Sequence, residues 1–183
     1  GLNHIDFSLV KIEQDKKENE YLTDKQFNQL HQYCMKEKND ICLSILLAMD
    51  TGMMIGEMCA LKVSDIDLDK QLIHISKRTQ RIKNDEEGSK TVYDIYEVEW
   101  TILRDITIPK ELFFYLQEYL KDKENDCYLT SNLYVVSEVT KLQRGLDRIG
   151  SKYGFKTTFK DLRNMYKERC LKSCMDMNIL MEL

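Results

Sequence analysis

Ile41-Cys42-Leu43-Ser44-Ile45-Leu46-Leu47-Ala48-Met49 runs into Asp50-Thr51-Gly52, and Met53-Met54-Ile55-Gly56-Glu57-Met58-Cys59-Ala60-Leu61 follows at once. Eight of the first nine residues are apolar. That is too many for one stripe of an amphipathic helix, so this segment predicts a helix at the centre of the core. Thr51-Gly52 breaks it. Ile55 to Leu61 then predicts a short helix immediately beyond the break.

Working outward from there, Thr23 and Gln26 have the spacing of a capping box ahead of Phe27, Leu30, Tyr33 and Cys34, which recur at helical intervals. Residues 1–20 are polar and charged and read as a linker or loose N-terminal arm. Downstream the period changes to two. Gln71 to Ser76, Thr91 to Trp100 and Ile106 to Ile108 alternate and predict a small antiparallel sheet, with Asn84 to Ser89 as a turn or hairpin tip. Pro109 stands where a first helical residue tolerates proline, ahead of Leu112, Phe113, Leu116, Tyr119 and Leu120. Two more helices are expected over 137–153 and 159–173. The fold class is α+β, mainly α: a helical bundle with a small antiparallel β-sheet, forming one domain over 21–183.

The chain has 183 residues, one proline and no run of eighteen apolar residues, which predicts neither a membrane span nor a signal peptide. Its six cysteines form no CxxC pair and fall mostly in apolar helical patterns, as expected of reduced thiols in a cytoplasmic chain without a metal site. The net charge is −4, but it is unevenly spread. Residues 141–172 hold ten Lys and Arg against three acidic residues, a local +7 that leaves −11 elsewhere. Within the 137–153 helix, Leu142, Leu146, Ile149 and Tyr153 form an apolar stripe, and Lys141, Arg144, Arg148 and Lys152 form a basic one. The basic stripe is either a solvated face or a surface for phosphates.

Several segments, taken in order, resemble the tyrosine recombinase (phage integrase) family. Thr51-Gly52-Met53-Met54-Ile55-Gly56-Glu57, continuing to Asp65-Ile66-Asp67, resembles its first signature, roughly TGxRxxE followed by DID. Ile106-Thr107-Ile108-Pro109 resembles the strand end before the next helix, and Phe159-Lys160-Asp161-Leu162-Arg163-Asn164 resembles the second signature, HxLRH. Arg169-Cys170 and Asp176 keep similar spacing, so the resemblance covers about residues 21–183. It implies an integrase-like catalytic domain acting on double-stranded DNA, as a homo-oligomer on that DNA, in site-specific recombination and integration of a mobile element. The chemistry implied is attack of a tyrosine hydroxyl on a DNA phosphodiester, giving a phosphotyrosyl link without metal, nucleotide or other cofactor. Two arginines hold the non-bridging oxygens, a hairpin lysine acts as acid and histidines assist.

The sequence departs from that pattern at several positions. Met54 stands at the first arginine and Trp100 near the hairpin lysine; Lys160 replaces a histidine, and Asn164 stands where a second histidine is common. Arg163 matches the second arginine, and His4, His31 and His74 all lie outside the motifs. The family's nucleophile follows a Leu-Gly-His segment that would begin near Glu182-Leu183, while Tyr166 follows Arg163 by three residues, at a usual core position. The expectation is therefore a domain lacking its tyrosine-bearing segment. Arg163 and Lys160 remain of the catalytic set, Met54 and Trp100 occupy degenerate positions, and Lys77, Arg78, Arg81, Lys141, Arg144, Arg148 and Lys152 touch DNA. Such a chain binds DNA weakly and does not cleave it. The alternatives are a fragment of an active full-length recombinase and a non-catalytic regulatory or interaction module. Arg163 is also read as a partner of Asp161 or Glu57, Glu57 as a plain helix carboxylate, and Arg104 as either an exposed strand residue or one reaching the site vacated at Met54.

Overall fold

The structure is a computed structural model and describes residues 21–82, 92–97, 103–131 and 133–173. The expected N-terminal arm, the hairpin tip over 84–89, Trp100 and the residues after 173 lie outside the described residues.

Six helices are described: α1 (Asp24–Lys36), α2 (Asp40–Thr51), α3 (Ile55–Ala60), α4 (Lys110–Tyr119), α5 (Val139–Tyr153) and α6 (Phe159–Lys172). Thr23 caps α1 through the expected box with Gln26, and Asn39 caps α2 by accepting the Cys42 N–H. The central helix is α2. Leu43, Ile45, Leu46, Leu47 and Ala48 are fully buried, and α1, α3, α4, α5 and α6 all pack against it. Pro109 is the N-cap of α4 with extended ψ 149°, one place earlier than expected. Proline restricts the backbone at its own position without supplying an N–H, which suits a cap as well as a first turn.

The β-structure divides in two. β1 (Ile66–Asp67), β2 (Leu72–Ile75) and β5 (Arg104–Thr107) form an antiparallel sheet in the order β1-β2-β5, while β3 (Lys77–Ile82) and β4 (Val92–Glu97) form a separate antiparallel pair. Strand β3, absent from the strands that alternation predicts, lies on α3. The Thr79 Oγ1 donates to the Gly56 carbonyl at 3.3 Å, and a Cβ on Gly56 would stand 2.9 Å from the Thr79 carbonyl oxygen. Glycine is needed at that approach.

One ion pair ties α1 to the end of α2: His31 Nε2 lies 3.0 and 3.1 Å from the two carboxylate oxygens of Asp50, with both side chains mostly buried. The hydrogen bond to Asp50 raises the imidazole above its ordinary value; burial opposes this, the charges of Asp50 and Glu111 add to it, and Arg169 opposes. A raised folded-state pKa stabilises the fold fully below the unfolded value of about 6.5 and loses that contribution as pH rises through the folded value. His31→Ala is therefore expected to destabilise the chain more at pH 6 than at pH 9. Urea denaturation at the two pH values checks this, and equal losses would contradict it.

Candidate functional site

The break at Gly52 turns the chain from α2 into α3, and α6 crosses beside that turn. Together with β3 they enclose a cavity of about 490 Å³. Met54, Ile55 and Phe159 give it apolar lining; Arg78, Lys160 and Arg163 give it cationic lining, with Glu57 among them. The structure thus brings Met54, Lys160, Arg163 and the hairpin residue Arg78 into one pocket.

Each of these residues has a local cause. Met54 is the extended N-cap of α3, and its N–H donates to Glu57 Oε2 at 2.8 Å. Thr158 and Asp161 form a capping box that starts α6, which places Lys160 in its exposed first turn and Arg163 in its second. The Arg163 Nε donates to the Gly52 carbonyl at 2.8 Å. Burial, foremost, pulls the Arg163 guanidinium below its ordinary value, with Glu57 raising it and Arg104 lowering it. Lys167, one turn on, is lowered by burial and then by Arg163 and Arg104. Arginine stays charged under all ordinary conditions, so the cavity carries clustered positive charge around a single buried carboxylate.

That carboxylate is not a plain surface group. Glu57 has a fully buried side chain, and Arg104 reaches it from β5 in a two-pronged pair, Nη1 to Oε1 at 2.8 Å and Nη2 to Oε2 at 3.0 Å. Arg104 is not the exposed strand residue of one expectation: its side chain is only 10% exposed and pairs with Glu57, the carboxylate that also accepts the Met54 N–H. Glu57 thus pairs with Arg104, while Arg163 donates through its Nε to the Gly52 carbonyl. Alternation held the clue: Arg104 shares a strand face with buried Ile106 and Ile108, and an inward-facing arginine requires a carboxylate.

The basic stripe of α5 is partly used internally. Lys141 Nζ contacts Asp40 Oδ2 at 2.7 Å, and Lys152 Nζ lies 5.3 Å from the Tyr33 ring centre. Arg144 and Arg148 are exposed and line a second cavity of about 460 Å³ beside Leu133 and Val135. This face is separate from the Arg163 pocket, but α5 adjoins the start of α6, where Gln143 Nε2 donates to the Thr157 carbonyl at 3.2 Å. Lys77 is half-buried on β3; Arg81 lies on β3 and its side chain, like all of Trp100, is outside the described residues. Tyr166 does not line the pocket. Its phenol is pushed up to about 12, first by burial and then by a hydrogen bond with Cys170.

Removing one partner of a buried ion pair leaves an uncompensated charge. Arg104→Met is expected to cost about 3–5 kcal/mol in urea denaturation at pH 7, and adding Glu57→Gln should recover part of it. A loss below about 1 kcal/mol would mean that the pair is solvated like a surface bridge.

Residues 20–183 match the sequence model of the Phage integrase family. Tyrosine recombinase XerA of Pyrococcus furiosus is 28% identical over 168 residues, covering 88% of this chain and 51% of that protein. The Tn1549 transposon integrase, solved in complex with a circular intermediate DNA, superposes with a TM-score of 0.73 at 19% identity over 92% of this chain and 58% of the other. A XerA recombinase crystal structure gives 0.66 at 21% identity, over 88% of this chain and 53% of the other. A λ integrase (75–356) dimer bound to a COC′ core site gives 0.53 at 18% identity, over 89% and 56%. The chain spans about half the length of the relatives it matches. The family match over nearly the whole chain agrees with the bundle, the paired strands and the Met54–Arg163 pocket: this chain belongs to the phage integrase (tyrosine recombinase) family.

Proposed function

We propose that the chain binds duplex DNA, seating a backbone phosphate in the pocket of Arg163, Lys160 and Arg78, and that it does not cut the strand. The observation that carries the reading is the convergence of those three cations from α6 and β3 on one cavity, with Arg163 fixed through its Nε. A phosphodiester oxygen is the natural partner for planar guanidinium donors. Arg144 and Arg148 on α5 supply a second set of backbone contacts. The integrases of similar fold that were solved with DNA support duplex DNA as the ligand, and the λ integrase dimer supports assembly of copies on it.

The same lining supports the non-cutting half of the reading. Met54 brings a thioether where a donor to developing negative charge would be needed, and the loss of one such donor costs about 10²–10³ in rate. Among the described residues lining the pocket there is no tyrosine hydroxyl to attack phosphorus. Good binding of the phosphate by these described residues supplies no nucleophile.

Two measurements test this. In gel-shift titrations across salt concentrations, Arg163→Ala should weaken duplex binding about tenfold and reduce the salt slope by about one; an unchanged slope would remove the phosphate from the pocket. With a suicide DNA substrate, no covalent protein–DNA adduct should survive denaturing electrophoresis. An adduct would overturn the non-cutting half of the proposal.

A further inference from the structure

Arg163 and Tyr166 stand three residues apart on α6, so both leave the same face of the helix. Both end on Gly52. Arg163 Nε donates to the Gly52 carbonyl at 2.8 Å. The Tyr166 ring lies so close to the Gly52 α-carbon that a Cβ there would stand 2.5 Å from Cδ1 and 2.9 Å from Cε1. Gly52 itself has φ +66°, in the left-handed region that side chains rarely adopt. Glycine is thus required at 52 twice over, by its backbone and by the ring against it.

We infer that Tyr166 is a positioning residue for Arg163, acting through Gly52. The ring holds Gly52 in its left-handed turn, the turn fixes where the carbonyl points, and the carbonyl fixes the guanidinium. Nε is the atom where the guanidinium plane joins the flexible stem, so a hydrogen bond there sets the plane in which the other donors lie. Without the ring, the residue of greatest backbone freedom is held less tightly, and the arginine that depends on it samples other rotamers. A side chain that merely filled space on α6 would have no such reach into the pocket. The consequence for DNA rests on the phosphate-binding reading above; the clamp itself does not.

Two readouts separate these. In arginine ¹⁵N spectra of the full chain, the Nε–H signal of Arg163 is identified by its loss in Arg163→Lys. Tyr166→Phe, which keeps the ring, should retain the parent signal. In Tyr166→Ala that proton should exchange with solvent about tenfold faster, and Tyr166→Leu should show the same direction if the alanine variant folds poorly. Parent-like exchange in both Ala and Leu variants would overturn the inference. In duplex binding, Tyr166→Ala should weaken affinity about tenfold in the parent but less than about twofold when Arg163 is already alanine. Equal losses in both backgrounds would also overturn it. A parent chain that binds no DNA would defeat the phosphate reading, while the Nε–H comparison would still decide the clamp.

Discussion

A helix that is apolar all the way round has no face to offer solvent, so it exists only where other elements enclose it. α2 imposes that condition on the molecule. Its residues from Cys42 to Met49 are buried, and five helices gather around it. Its two ends are therefore the places where polar groups can emerge, and both are used. Asn39 caps the start. At the other end Asp50 receives His31, while Gly52 turns the chain outward beside α6 and its carbonyl anchors Arg163 of the cationic cavity. The pocket is where the buried helix is obliged to stop.

Charge inside the cavity is arranged around the same stop. A carboxylate as buried as Glu57 would strongly destabilise its surroundings if unpaired. It is instead held by two guanidinium prongs and by the Met54 N–H that starts α3. The pair locks the N-terminus of α3, which lines the pocket, to β5. Arg163, by contrast, donates its Nε–H to a neutral carbonyl and lines the cavity. One arginine spends its guanidinium on a buried carboxylate; the other is oriented through its Nε by a backbone carbonyl.

Much of this was legible in the sequence because local rules and burial agreed. The apolar run from Ile41, the break at Thr51-Gly52, and the capping box at Thr23-Gln26 each have one physical solution. The meeting of Met54, Lys160 and Arg163 was expected through resemblance, since 109 residues separate Met54 from Arg163 and no periodicity spans such a gap. Three things were not read. The division into two sheets depends on register, which alternation alone leaves open. The Arg104–Glu57 pair joins residues 47 apart and was visible only as an arginine on an otherwise apolar strand face. The internal use of Lys141 and Lys152 was hidden because a basic stripe looks the same whether it meets Asp40, an aromatic ring or a phosphate.

The seating of β3 on α3 has a mechanical consequence. The ladder hydrogen bonds of β3 go to β4, while its hold on α3 passes through Thr79 and the bare α-carbon of Gly56. The seat of β3 is therefore only as deep as position 56 is bare: a β-carbon there would meet the Thr79 carbonyl and push the strand outward. Because Arg78 lies on that strand, the same displacement would carry a positive charge away from the cavity, so one missing methyl group on α3 sets where a cation of the pocket stands.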